Sequence, residues 1–259
     1  MSIIKKFRIT KIKSGKPLIS LNKISLSFKK NHLILDNISL DISRGQIIGL
    51  LGPNGAGKST LMNLITGILK PNYGNILIDG KDITQYPIYE RTKKFKLSMC
   101  PQLGGYFADL SAEDNLNAVG EILVEDPKIR KMKVEELIFK FELDAVRKVE
   151  AKFLSGGMKR RLVISMSLLG EPEILLMDEP LAALDPQTIQ MLQNIIIKLQ
   201  SEYNLTIIIT DHQARDLLVV CDKALILSNS KIVAEGTPNE LMKNENATKY
   251  YFGDNFKFK

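Results

Sequence analysis

Apolar and polar positions alternate along residues 19–28 and again along 33–42, around Asp36-Asn37. A period of two buries one face of a segment and wets the other, so these residues are predicted to form an antiparallel β pair. From Gln46 to Leu51 the pattern becomes nearly continuous apolar, as in a strand covered on both faces. Short runs of that kind recur at 75–78, 97–100, 174–178, 205–210 and 224–227. Helical periodicity fills 58–69, 156–169 and 187–200. Strands alternating with helices predict an α/β fold on a mainly parallel sheet.

Residues 104–154 break the rhythm. They hold no strand-like run and read as a helical insertion, with one helix opening at Ser111 and Asp114 three residues on, a capping-box pattern. The chain therefore divides into a basic tail (1–17), an α/β core carrying the β subdomain (18–103 and 155–240), a helical subdomain (104–154) and a C-terminal tail (241–259).

Composition narrows the class without naming a function. With 259 residues, 44% apolar and 25% charged, the chain can bury a sizeable core, which excludes a disordered or collagen-like protein. No run approaches 18 apolar residues, so none is expected to span a bilayer. Residues 1–16 lack the apolar region of a secretory signal. Cys100 and Cys221 are too few and too far apart for a disulfide framework or a metal finger, which fits a reducing cytosol. The net charge of +7 is uneven: residues 1–100 carry 17 basic and 5 acidic groups, residues 101–259 carry 19 and 24. Residues 1–30 hold nine Lys or Arg and no acid. Such a front half raises nucleic acid and anionic membrane as partners.

Gly52-Pro53-Asn54-Gly55-Ala56-Gly57-Lys58-Ser59 fits G-x-x-x-x-G-K-[ST] without a mismatch, between a predicted strand and a predicted helix. Its glycines let successive N–H groups converge on phosphate oxygens, and the helix N-terminus adds positive potential. Lys58 is expected to neutralise the β- and γ-phosphates, Ser59 to ligate Mg²⁺ and Thr60 to reach the α-phosphate. At 174–179 four apolar residues lead into Asp178 and Glu179, which emerge at the carboxyl end of a strand, where α/β sheets bind ligands. Alone, such a pair equally suits a solvated loop. After a phosphate loop it reads as a metal-shell carboxylate, Asp178, and a group that orients or deprotonates the attacking water, Glu179. Leu154-Ser155-Gly156-Gly157 precedes a helix bearing Lys159, Arg160 and Arg161. Ser155 can cap that helix, and the glycines let a phosphate approach its N-terminus. One chain's phosphate loop already covers its own γ-phosphate, so this second turn makes sense if it serves the nucleotide of a neighbouring copy.

This ordered set resembles the ATP-binding cassette (ABC) ATPases across residues 20–240. The resemblance implies an α/β P-loop NTPase of the ABC type, with an N-terminal antiparallel β subdomain and a helical insertion. It implies ATP hydrolysis with Mg²⁺ in a head-to-tail homodimer. Gln102 matches the family's Q-loop, which senses metal and γ-phosphate. Leu154–Gly157 matches the signature, Asp178 and Glu179 the Walker B pair, Ala183-Leu184-Asp185 the D-loop and His212 the switch histidine. Phe28, 24 residues before Gly52, stands where the family stacks an aromatic, more often Tyr, on adenine. It also suits an ordinary strand core position. Met158 stands where Gln or Glu is common, and Gln102 follows Met99-Cys100-Pro101.

Three late segments, Thr210–Asp222, Ala234–Leu241 and Tyr250–Phe256, resemble the ATPase subunits of lipopolysaccharide exporters. ATPases of branched-chain amino-acid importers are similar there. The resemblance implies transmembrane permease partners, a lipopolysaccharide-export pair, and a peripheral place on the cytoplasmic face of the inner membrane. Exporter relatives tend to carry basic residues after an aromatic matching Phe107; here Ala108 and Asp109 come after it. Phe107 suits a docking groove or the helical core. Some ABC-type ATPases serve nucleic acid. Here only 97 residues separate Lys58 from Ser155, too few for a long coiled coil, and the chain carries one cassette, so no nucleic-acid partner is expected. The tail 1–17 carries no motif and suits either anionic headgroups or solvent.

Overall fold

The computed structural model describes residues 15–29, 32–253 and 256; the basic segment 1–14, read as part of a loose tail, lies outside them. Strand β1 (Ile19–Lys29) pairs antiparallel with β2 (His32–Ile42), with Ile19 opposite Ile42 and Leu21 opposite Leu40. Both strands change phase midway. In β1 the buried positions run Ile19, Leu21 and then Ile24, Leu26; in β2 they run Leu35 and then Ile38, Leu40, Ile42. A one-residue slip would turn the second half of each strand outward. Bulges at the phase changes prevent this, with Lys23 at φ 51° and Asn37 at φ 54°. β4 (Tyr73–Ile78) and β5 (Lys81–Asp82) complete a four-stranded antiparallel sheet of order β2-β1-β4-β5.

β3 (Ile47–Leu51) leads through the glycine loop into α1 (Lys58–Thr66). The helix ends three residues before the periodicity does, because Gly67 adopts φ 84° and closes it. Arg91 secures that end from inside the fold. Its fully buried guanidinium donates to the carbonyls of Leu64 (2.7 Å), Ile65 (2.8 Å), Thr84 (3.0 Å) and Tyr86 (2.8 Å). Arg91 belongs to α2 (Ile88–Phe95), which runs into β6 (Leu97–Cys100).

The helical insertion comes next, with α3 (Ala112–Leu123) and α4 (Pro127–Lys140). Ser111 caps α3, its Oγ accepting from the Asp114 N–H at 3.1 Å, as the sequence predicts. The chain returns through α5 (Gly156–Leu168), β7 (Ile174–Asp178), α6 (Pro186–Tyr203), β8 (Thr206–Thr210), α7 (Ala214–Leu218), β9 (Lys223–Ser228) and β10 (Lys231–Gly236). Two short helices, α8 (Pro238–Leu241) and α9 (Glu245–Ala247), and a π turn at Thr248–Phe252 end the described chain.

The second sheet has the order β10-β9-β3-β8-β7-β6 and is parallel except at β10. Its central strands separate two apolar clusters. Leu51, Leu175, Met177, Ile207 and Ile209 face the helical side. Leu50, Leu176, Ile208 and Leu225 face α1 and the antiparallel sheet. Covering on both faces explains the uninterrupted apolar runs. It also fixes where the strands end. β3, β8, β7 and β6 are neighbours, and the glycine loop, His212, Asp178-Glu179 and Gln102 each come at or just after one of their carboxyl ends.

Candidate nucleotide site

The glycine loop needs glycine for steric reasons. Gly52 has φ 150°, and a Cβ there would lie 2.2 Å from the Leu227 carbonyl oxygen; at Gly57, φ 102°, it would lie 3.0 Å from the Ile34 carbonyl oxygen. Lys58 opens α1 and is only 6% exposed. Its Nζ donates to the carbonyls of Gly52 (2.7 Å) and Pro53 (3.1 Å). Burial lowers its pKa, against the opposing pull of Glu179, Asp178 and Asp211. Pro53, Asn54, Gly55 and Ser59 are exposed along the loop, Thr60 is half-buried, and Ala56 and Gly57 are buried.

Asp178 meets Ser59 and Thr210. Its Oδ1 lies 3.5 Å from the Ser59 hydroxyl and accepts from the Thr210 hydroxyl at 2.5 Å. Thr210 also restrains the next acid: the Glu179 N–H donates to the Thr210 carbonyl (3.1 Å) and to Thr210 Oγ1 (3.0 Å). Glu179 sits at φ 47°, a left-handed conformation uncommon outside glycine. So turned, its Oε2 accepts from Gln102 Nε2 at 2.6 Å, and His212 Nδ1 lies 3.3 Å from the same oxygen.

Two contributors left no motif in the sequence. Thr210 is one; its only sequence signal is a hydroxyl following three isoleucines at the end of a strand. Arg160, in α5, is the other. Its guanidinium donates to the carbonyls of Pro101 (3.0 Å), Gln102 (3.1 Å) and Glu179 (3.3 Å). Cys100 lies beside it, its thiol pushed up to about 11 by burial and so kept neutral.

Lys58, Ser59, Gln102, Asp178, Glu179 and His212 thus form one cluster. Ser155, Gly156 and Gly157 stand apart from it. Ser155 Oγ accepts from the Met158 N–H at 3.3 Å, capping α5. A Cβ on Gly156 would come 3.6 Å from Leu184, and one on Gly157 2.7 Å from Thr188. This turn therefore rests on the 183–188 segment, and Ser155 makes none of its hydrogen bonds with the glycine loop. Phe28 lies near the end of β1 and is 60% exposed. Phe107 is 51% exposed, although its backbone is tied to Asn115, and the charge of Asp109 is balanced by Lys152 at 2.9 Å.

A divalent cation fits the donors present. Ser59 and Asp178 supply hard oxygens, as Mg²⁺ prefers. Among the described residues no group of three or more His, Cys, Asp or Glu could hold a metal ion.

A glycine loop opening a helix, two acids ending a strand of the same sheet and a second capped turn apart from the loop define a P-loop ATPase. The family model described as ABC transporter matches residues 35–182. The chain belongs to the ABC transporter family and is an ATPase subunit of it. The lipopolysaccharide export system ATP-binding protein LptB of Haemophilus influenzae is 36% identical over 241 residues, 93% of this chain and 99% of that protein. LptB of Escherichia coli K12 is 36% identical over 229 residues, 88% of this chain and 94% of that protein. Among solved structures, MJ1267, an ATP-binding cassette of an ABC transporter, superposes with a TM-score of 0.83 at 25% identity, covering 92% of this chain and all of that one. CbiO1 from Clostridium perfringens gives 0.79 at 25% identity, covering 91% and 94%. Among the described residues no helix is long and apolar enough to cross a membrane.

Proposed function

We propose that this chain powers the extraction of lipopolysaccharide from the inner membrane and its export toward the outer membrane. It acts as a head-to-tail homodimer beneath a permease pair on the cytoplasmic face. The cargo reading rests on the likeness to LptB proteins along nearly the whole chain. The catalytic reading rests on one observation: Gln102 and His212 converge on a single oxygen of Glu179, beside Lys58 and Asp178.

The loop from Gly52 to Thr60 takes the phosphates of ATP, and Phe28 offers its exposed ring to the base. Lys58 exchanges its loop carbonyls for the β- and γ-phosphate oxygens. Ser59 and Asp178 would hold Mg²⁺, with Gln102 as a further ligand, and the ion would offset phosphate charge. Ser155, Gly156 and Gly157 of a second copy close over the γ-phosphate, since this turn does not serve its own chain's loop. Two shared sites then arise from a twofold axis. Glu179 takes the proton of the attacking water, and His212 steadies the carboxylate and the γ-phosphate. Phosphoryl transfer asks a protein chiefly for positioning and charge stabilisation, which this cluster provides.

Glu179→Gln keeps the shape and removes the base. Steady-state ATP hydrolysis should fall by at least about 100-fold, while ATP-bound dimer accumulates on size exclusion with light scattering. Near-normal turnover would remove Glu179 from this role.

A further inference from the structure

The end of the described chain touches the site where no motif marks it. The π turn Thr248–Phe252 closes with the Gly253 N–H donating to the Thr248 carbonyl at 2.8 Å, and Gly253 takes φ 73°. The turn delivers Tyr251 to the β8–α7 connection, where its hydroxyl donates to the His212 carbonyl at 2.9 Å. The tail also grips α7, the helix just beyond His212. Phe252 and Phe256 stack at 4.5 Å, and the Arg215 guanidinium of α7 lies 5.5 Å over the Phe256 ring. Tyr251, Phe252 and Phe256 pack on the cluster that holds Ala214, Leu217 and Leu218 of α7.

The segment they brace is otherwise held by Asp211, whose carboxylate accepts from the backbone N–H groups of His212 and Gln213. Residues 211–213 belong to neither helix nor strand. Asp211 is fully buried; its Oδ1 accepts from the Gln213 N–H at 2.9 Å, and among the described residues its Oδ2 has no hydrogen-bond partner. The His212 side chain is 45% exposed and reaches Glu179 at a long 3.3 Å. Its orientation therefore depends on the peptide that carries it. Burial pushes the Tyr251 phenol up to about 12, so the hydroxyl keeps its proton and stays a donor across the neutral range.

We propose that Tyr251 is a positioning residue for ATP hydrolysis: by holding the His212 carbonyl it sets the peptide that aims the imidazole at Glu179. This rests on the proposed roles of Glu179 and His212 in hydrolysis. The C-terminal segment then acts on the reaction as well as on packing.

Tyr251→Phe in the full-length protein removes one hydroxyl and keeps the ring. kcat should fall about fivefold, the worth of one neutral hydrogen bond. KM for ATP should not change, because the loop contacts lie elsewhere, and the melting temperature should move little. In a His212→Ala background the same substitution should have no further effect on kcat, because the group it positions is gone. The proposal is overturned if Tyr251→Phe leaves kcat intact while His212→Ala lowers it. It is equally overturned if the two effects multiply independently, as two unrelated packing defects would. If His212→Ala itself leaves kcat unchanged, the role of His212 falls, and this inference with it.

Discussion

The guanidinium of Arg160 binds three carbonyls that belong to separate stretches of chain, two before the helical insertion and one after β7. The fork geometry matters more than the charge, because each acceptor is a neutral backbone oxygen set at its own angle. We expect Arg160→Ala to lower kcat about tenfold, the worth of one to two such bonds, with KM for ATP nearly unchanged. Arg160→Lys should recover only part of this in the same steady-state assay. The residues proposed to serve phosphate, its metal or the attacking water were legible in the sequence because that chemistry prescribes their type and spacing: Lys58, Ser59, Asp178, Glu179. Arg160 and Thr210 were not, because a side chain that serves a backbone carbonyl or braces another side chain leaves no spacing rule behind. Tyr251 lay inside a segment whose resemblance was legible, but its contact depends on a turn that no periodicity reveals.

At the level of elements, the buried strands were the most legible, since two apolar covers leave no polar position to interrupt the run. β10 was not legible, because its partly exposed residues, Lys231 to Gly236, include only Ile232, Val233 and Ala234 as apolar. Nor was α2, whose mostly polar face is held by the buried Arg91. The helical insertion depends on charge as well as packing. Arg147 pairs with Glu113 and Glu135, each at 2.7 Å, and Lys148 also meets Glu113. Hydrogen bonds from Arg147 and then Lys148 hold the Glu113 carboxyl down at about 2, against an ordinary 4.5. A depressed carboxyl stabilises the fold fully above its ordinary value and loses that contribution as pH falls toward the folded one. Glu113→Gln should therefore lower the melting temperature at pH 7 and have a much smaller effect near pH 2. Equal losses at both pH values would deny the ion pairs a part.

For the whole molecule, the uneven charge takes on a different meaning beside the site. Lys58 belongs to the phosphate loop and Arg91 to the interior, so part of the basic front half already serves the fold itself. In the proposed transporter, specificity for cargo falls to the permeases. Gentle solubilisation of native membranes should recover the chain with two permeases and a periplasmic lipid-carrying component. Recovery with a solute-binding protein would instead place it in an importer. The sheet order carries one more consequence. Gln102, the two acids, His212 and the glycine loop hang from four neighbouring strand ends, three steps of about 4.8 Å, so the sheet edge is a ruler about 14 Å long. Substitution in the loops can change what stands at each mark but cannot change the interval between marks. Widening the site would take an inserted strand, and narrowing it the loss of one.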